Sequence, residues 1–439
     1  MVQTEYGAVE GVKRDGCTVY MGIPFAKPPV GELAFRHPLR PEPWEGVLPA
    51  DRGSKNPVQA PGAFRVKNND PDCLYLNVFV PEHGDAPLPV MVWIFGGSYA
   101  QGGAGAKEPG SRSLVYNLCS FARDAHALVV SFNYRLNLSG FLNLHAFDAG
   151  FDRNNGLYDQ ILALRFVKEN IAAFGGDPQN ITLFGQSAGA SCILALMGMD
   201  EAKGLFHKAI VQSAVIEHFF TETESRANAR RYLRIARVSR PSALRSLSRE
   251  RILRANRAYA FLFLMGKDIR CAFSPVIDGV TLRDEPKKLA QESTVPLLIG
   301  ITAQEGNLFV PKVPPLLLPV IERLIRVKSS GKSRSLRQHF SDALTEHIYL
   351  RPMEELLQGY KGPAWRYEYA HEIPGSKLGP CHASEISVLF GYRRTLDGAP
   401  IPEEDPTGAA MRRAWGAFAA SGDPGWERYT EEKEVHRFP

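Results

Sequence analysis

Asn180-Ile-Thr-Leu-Phe-Gly-Gln-Ser-Ala-Gly-Ala190 is the stretch on which the reading of this chain turns. Ile181 to Phe184 are consecutive strand formers, and Ala188 to Met199 are small and apolar residues suited to a buried helix. Between them Gly185-Gln186-Ser187-Ala188-Gly189 has the Gly-x-Ser-x-Gly spacing of a nucleophile elbow, a sharp strand-to-helix turn with a serine at its tip. Such a turn needs flanking positions with almost no side chain, and Gly185 and Gly189 provide them. The helix that follows aims its first amides at the place where negative charge would develop. The spacing alone arises by chance in roughly one chain in seven of this length, so its partners elsewhere must decide.

The 439 residues are 44% hydrophobic and carry a formal net charge of +5. That suffices for a large core and calls for neither nucleic acid nor membrane as a partner. No run of about 18 apolar residues occurs, and Met1-Val-Gln-Thr-Glu-Tyr-Gly7 has neither a basic head nor an apolar stretch. A cytoplasmic protein is expected. Cys17, Cys73, Cys119, Cys192, Cys271 and Cys381 lie far apart without metal-ligand spacing and read as reduced, mostly buried thiols.

Strands and helices alternate around the elbow. Asp72–Val80, Pro87–Phe95, Ala127–Tyr134, Lys208–Gln212, Pro296–Gly300 and Trp365–Tyr369 read as strands, and Leu118–Ala125 and Met411–Ala420 as helices. Leu157, Ile161, Leu164, Val167, Ile171 and Phe174 recur every three or four residues, the period of an amphipathic helix, which Gly175-Gly176-Asp177-Pro178 stops. This alternation predicts an α/β fold, a mostly parallel sheet flanked by helices, with ligands bound beyond the carboxyl ends of the strands. At the front, Thr4–Gly11 and Thr18–Met21 read as a small antiparallel unit, and proline-rich Gly22–Gly31 and Pro41–Gly46 as a rigid surface strap. One catalytic domain over 1–439 is expected, with lid or cap insertions at about 219–270 and 307–362. Arg226 to Arg257 holds eleven arginines on two helices broken near Pro241. They fall on several faces with no interleaved aromatics, which predicts a solvated surface rather than a nucleic-acid patch.

A serine hydroxyl needs a base within hydrogen-bond reach, and the base needs an orienting acid. On α/β-hydrolase sheets the acid follows the serine and the histidine follows the acid. Glu305, just past a buried strand, suits the acid, and Asp278 is its rival. His382, in Gly379-Pro-Cys-His-Ala-Ser-Glu385, suits the base, with His347, His371 and His436 as rivals. His207 and His218 follow the elbow too closely. Amide donors for an oxyanion come from Ala188 and from the loop Gly96-Gly97-Ser98. No Gly-Lys-Ser/Thr follows that loop, which argues against phosphate binding. Tyr99, Phe219, Phe220 and Phe309 are candidate walls of an apolar substrate pocket, or plain core.

Several further stretches fall in one family's order: Gly22-Ile-Pro-Phe-Ala-Lys-Pro-Pro-Val-Gly31, Asp72-Cys-Leu-Tyr-Leu-Asn77, Val92-Trp-Ile-Phe-Gly-Gly97, Asn133-Tyr-Arg-Leu136, Asn155-Gly-Leu-Tyr-Asp-Gln160, Phe174-Gly-Gly-Asp-Pro178 and Ser274-Pro-Val-Ile-Asp-Gly279. With the elbow they resemble the type B carboxylesterase and cholinesterase family of α/β hydrolases over nearly the whole chain. The chain resembles bacterial para-nitrobenzyl-esterase-like members more than the longer secreted animal ones. The resemblance implies an α/β-hydrolase fold with Ser187 as nucleophile, Glu305 rather than Asp278 as acid, and His382 as base. It implies oxyanion amides at Gly97, Ser98 and Ala188, and Ser213 as a serine supporting the triad. It implies a small-molecule carboxylic ester as substrate, with no cofactor and no metal.

Short-chain acyl esters of aromatic or alkyl alcohols are the expected substrates. The alternatives are a non-catalytic binding or adhesion homologue, and the same triad acting on amides, carbamates or thioesters. Two departures from the family stand in the sequence. Ser98 replaces a usual glycine, and its Cβ narrows both the backbone and the approach of a bulky tertiary-alcohol ester. Cys73 matches a position often disulfide-bonded, but Val58 stands where its partner is expected, so that disulfide is expected to be missing.

Overall fold

The computed structural model describes the chain apart from residues 54, 61–65, 67, 83, 106–115, 266, 267, 269, 311–334, 431 and 433. β1 (Val2–Thr4) and β2 (Gly7–Glu10) form one antiparallel hairpin, and β3 (Val12–Arg14) and β4 (Cys17–Pro24) form another. β5 (Val47–Pro49) runs parallel to β2, so the first hairpin belongs to a small sheet of its own, while the second joins the main sheet. The front of the chain is therefore two units rather than the single one expected. The Asp15-Gly16 turn is the reason. Both residues have positive φ, 50° and 74°, the geometry of a tight hairpin turn that Asp-Gly favours. It pairs the strand from Cys17 with Val12–Arg14 and not with Gly7–Glu10.

The main sheet continues with β6 (Tyr75–Pro81), β7 (Leu88–Ile94), β8 (Leu128–Phe132), β9 (Gly176–Gln186) and β10 (Lys208–Gln212). β11 (Phe220–Thr221) and β12 (Val276–Ile277) pair apart from it. β13 (Leu297–Thr302), β14 (Ala364–Tyr369) and β15 (His436–Phe438) complete it. The order is β15-β14-β13-β10-β9-β7-β8-β6-β4-β3. Neighbours from β15 to β8 are parallel, and β6, β4 and β3 extend one end in antiparallel fashion. After β7 the chain places β8 on one side of it and β9 on the other. Such a reversal opens a crevice at the carboxyl ends of the strands.

Among the helices that accompany the sheet are α1 (Leu118–Ala125), α2 (Asn155–Asn170), α3 (Ala188–Gly198), α4 (Glu222–Ala236), α5 (Arg249–Met265), α6 (Ser384–Leu389) and α7 (Pro406–Ser421). α1 packs on α7, and α2 on α3. α2 departs from expectation. Its helical span is right, but it is buried on most of its circumference, and only Arg165 and Glu169 are exposed. A buried ion pair draws it inward. Arg135, in the loop after β8, gives Asp159 of α2 contacts of 2.7 Å from Nη2 and 2.8 Å from Nε, and its backbone N–H adds another of 2.9 Å. Both side chains are buried. Two of the quoted sequence motifs are thus the two halves of one contact.

The arginine-rich helices α4 and α5 present the solvated surface expected, and of the eleven arginines only Arg245 is not exposed. Arg226 and Arg230 lie over the Phe147 ring at 5.7 and 5.8 Å, and Arg245 over Phe151 at 4.3 Å. Arg251 Nη2 donates to Ala236 O at 3.0 Å, closing the end of α4. These cations fasten the two helices to each other and to the segment below. Among the described residues no helix is long and apolar enough to cross a membrane.

Removing one half of a buried ion pair leaves an uncompensated charge. Asp159→Ala is expected to lower stability by about 3–5 kcal/mol, read as a lower urea midpoint with unchanged slope.

Candidate active site

β9 ends at Gln186 and the chain turns directly into α3. Ser187, at the turn, has φ 56° and ψ −125°, a backbone state that costs a non-glycine residue about 1–3 kcal/mol. Its neighbours hold it there. Its N–H donates to Gln212 O on β10 at 2.8 Å, and its carbonyl accepts from Ser191 N at 2.9 Å. The glycines of the motif answer to β7. A Cβ on Gly189 would stand 2.1 Å from the Ile94 carbonyl oxygen, and one on Gly185 2.7 Å from the same atom.

Ser187 Oγ donates to His382 Nε2 at 2.9 Å, and His382 Nδ1 donates to Glu305 Oε2 at 2.6 Å. Glu305 is fully buried. Its other oxygen accepts from Ser213 Oγ at 2.5 Å and from Thr302 N at 2.8 Å. Ser213 follows β10 as Ser187 follows β9. It too has positive φ, 49°, and its N–H donates to Gly300 O at 2.8 Å. The rings of Tyr349 and Phe309 lie 5.0 and 5.5 Å from the His382 ring and flank it with apolar surface. The Gln186 amide lies 3.3 Å from His382 Nε2. A buried carboxylate, an oriented imidazole and a hydroxyl in series can activate that hydroxyl as a nucleophile.

The rivals are occupied elsewhere. Asp278 accepts from Thr281 N at 2.8 Å, Val280 N at 3.0 Å and Leu282 N at 3.1 Å, and so builds its own turn. His371 pairs with Asp405 at 3.0 Å, and His436 stacks on Trp426 at 4.2 Å. His207 accepts from Ile181 N at 3.0 Å. His347 lies on the helical turn Thr345–Leu350.

The loop after β7 lies against the elbow: a Cβ on Gly96 would be 3.1 Å from Ser187 Cβ. Tyr134 OH donates to Phe95 O at 2.6 Å, and Asn137 Nδ2 donates to Ala100 O at 2.9 Å. Gln59 and the Gly102 backbone exchange two bonds of 2.6 and 2.9 Å. Within this frame Gly97, Ser98 and Tyr99 have φ of 119°, 56° and 58°. The N–H groups of Gly97, Ser98 and Ala188 find no acceptor among the described residues. They are available to an oxyanion. The exposed Ser98 side chain interacts with the Cys271 thiol, which burial pushes up to about 12. Cys271 lies 4.0 Å from His218, which burial pushes down to about 4. Both are neutral near pH 7, so no thiolate competes with Ser187. Among the described residues no three His, Cys, Asp or Glu side chains gather as metal ligands would.

The model of the carboxylesterase family matches residues 1–318. The chain belongs to the carboxylesterase family. This carboxylesterase is 35% identical to the para-nitrobenzyl esterase of Bacillus subtilis, over 98% of this chain and 93% of that protein. It is 30% identical to the phenmedipham hydrolase of Pseudarthrobacter oxydans, over 97% and 90% of the two. A solved PNB esterase superposes with a TM-score of 0.85 at 34% identity, covering 100% of this chain and 95% of that one. The Geobacillus stearothermophilus carboxylesterase does so with 0.83 at 31%, covering 99% and 96%. The chain is thus a carboxylic-ester hydrolase with the α/β-hydrolase fold.

Of the expected pocket walls in this carboxylesterase, Phe309 stands against His382. Tyr99 is fully buried against Phe141 at 4.8 Å, behind the loop. Phe219 is buried, and Phe220 is sandwiched between Phe263 at 5.8 Å and Arg270 at 4.6 Å. Sequence reasoning missed Tyr349, Thr302, Gln186, Cys271 and His218. Thr302 and Gln186 had a signal, being three residues before Glu305 and one before Ser187. Tyr349 had none, since nothing local ties position 349 to 382.

Ser213→Ala removes one hydrogen bond to a buried charge while Thr302 N–H remains. It is expected to lower kcat roughly 10- to 100-fold with little change in KM, measured on p-nitrophenyl acetate. Wild-type kcat would mean that the Thr302 amide suffices.

Proposed function

We propose that this carboxylesterase hydrolyses short-chain acyl esters of aromatic or alkyl alcohols through an acyl-enzyme on Ser187. The unbroken hydrogen-bond series Ser187–His382–Glu305 carries the reading. His382 Nε2 takes the Ser187 proton as Oγ attacks the ester carbonyl carbon. The amides of Gly97, Ser98 and Ala188 receive the resulting oxyanion. His382 then gives its proton to the departing alkoxide, and the C–O bond to the alcohol breaks. Water enters, loses a proton to the same nitrogen and attacks the acyl carbon. The acid leaves and Ser187 regains its proton. Glu305 keeps the imidazole in the tautomer that presents Nε2 to serine and stabilises the imidazolium.

The substrate class is supported by the apolar flanks of His382 and by the para-nitrobenzyl esterase relative. We read 219–270 and 307–362 as lid or cap segments on one catalytic domain spanning 1–439. Of the second, residues 311–334 lie outside the described residues. A cytoplasmic location is supported by six free cysteines, Cys73 among them.

Turnover of p-nitrophenyl esters from acetate to octanoate is expected to peak among the short acyl chains. Ser187→Ala is expected to fall on the order of 10⁴- to 10⁶-fold with its fold intact. Turnover surviving in that variant would remove the assignment. Ser98→Gly deletes the Cβ and hydroxyl that narrow the oxyanion loop. Its gain in kcat/KM is expected to be larger for tert-butyl than for ethyl esters, and equal gains would dismiss the steric role of Ser98.

A further inference from the structure

A cavity of about 190 Å³ lies apart from the triad: none of Ser187, His382, Glu305, Gly97 or Ser98 lines it. Distant pieces of chain enclose it. Phe35 comes from the segment between β4 and β5, Val58 from that between β5 and β6, and Leu138 from the chain after β8. Leu244, on the helical turn Pro241–Ser246, and Ile252, on α5, come from the arginine-rich part. Walls of this kind suit an apolar body. An engineered apolar cavity of about 150 Å³ takes up benzene, so this one has room for a ring or a short alkyl chain.

The charged part of the lining is one-sided. Arg135, Arg245 and Arg249 belong to it, and no aspartate or glutamate does. Arg135 is already matched by the buried Asp159. The other two are not matched in that way. Arg245 Nη2 donates to Gly150 O at 3.1 Å, and the carboxylate it pairs with, Glu32, is 3.8 Å from Nη1 on a side chain that is 91% exposed. Arg249 opens α5, stands exposed beside an exposed Glu250, and has no side-chain hydrogen bond or ion pair among the described residues. Asn256 is buried yet lines the cavity. Tyr232 OH donates to its Oδ1 at 2.7 Å, while its Nδ2 donates to no described residue. Buried amide N–H groups are normally paired, and here an oxygen inside the cavity would supply the acceptor.

We propose that this cavity is a second ligand site, for a small carboxylate with an apolar body. The ring or alkyl chain lies against Phe35, Val58, Leu138, Leu244 and Ile252, and the carboxylate oxygens face Arg245, Arg249 and the Asn256 amide. Guanidinium groups are the side chains best fitted to a carboxylate. Acids released by ester hydrolysis belong to this class, so the site accepts the kind of product the enzyme makes. It does not depend on which serine is acylated.

The test follows 4-fluorobenzoate by fluorine NMR, first with wild type and then with protein whose Ser187 a fluorophosphonate has blocked. A ligand this small is expected to bind with Kd on the order of 1 mM, and to do so equally well in the blocked protein. Arg249→Glu turns attraction into repulsion and should weaken binding roughly tenfold or more, with hydrolysis of p-nitrophenyl acetate unchanged. The alcohol 4-fluorobenzyl alcohol has the ring without the charge and should bind roughly tenfold more weakly. Acetate has the charge without the ring and should not displace the probe. Loss of binding in the blocked protein would put the probe in the catalytic pocket and overturn the proposal. Unchanged affinity in Arg249→Glu, equal binding of the alcohol, displacement by acetate, or no binding by ~10 mM would overturn it too. Were Ser187 not labelled at all, the functional reading would fail, and the Arg249→Glu comparison would still decide the cavity.

Discussion

Everything at this site depends on one strained residue held between two carbonyls. Ser187 occupies a backbone state it would not choose, and its N–H is fixed by Gln212 O at the end of the next strand. Beneath it the Ile94 carbonyl leaves no room for a side chain at Gly185 or Gly189. The strain is offset by the strands on either side. Ile181, Leu183 and Phe184 of β9 and Val90 to Ile94 of β7 are buried almost completely, and each buried side chain contributes about 1.5–3 kcal/mol. The sheet is therefore stiff where Ser187 stands. Ser213 repeats the arrangement one strand over, which brings its hydroxyl to Glu305.

A second constraint is electrostatic. Buried charges at the site and beneath it are paired. Asp159 has Arg135, and Glu305 has three donors. Half-buried Cys271 and buried His218, beside the loop after β7, are pushed by desolvation toward their neutral forms. In a medium where an unpaired charge costs several kcal/mol, the arrangement of protons is as much part of the site as the arrangement of atoms.

Helices α4 and α5 bear out their composition, since ten of the eleven arginines are exposed. A sequence window still cannot see what lies across from a guanidinium. In the fold several of them lie on Phe147 and Phe151 or close a helix end. Likewise the apolar period of α2 predicts a helix correctly and its exposure wrongly. The polar members of that helix, Asp159 among them, are buried by a partner 24 residues earlier. Tyr99 and Phe220 have the chemistry of pocket walls, and the fold sets Tyr99 against Phe141 and Phe220 between Phe263 and Arg270.

Local chemistry determined much of this protein from its sequence. Periodicity and turn residues marked the strands, the helix after the elbow and the glycines around it, because each depends on neighbours a few residues away. The elbow also told which serine to examine. The tertiary structure decided what depends on contacts between distant segments. It set Asp278 into its own turn and Glu305 beside His382, divided the front hairpins between two sheets, and brought Tyr349 to His382 and Thr302 to Glu305. Strand order and burial select those contacts. A chain records only the kinds of side chain available for them, not which pairs will meet once water is excluded.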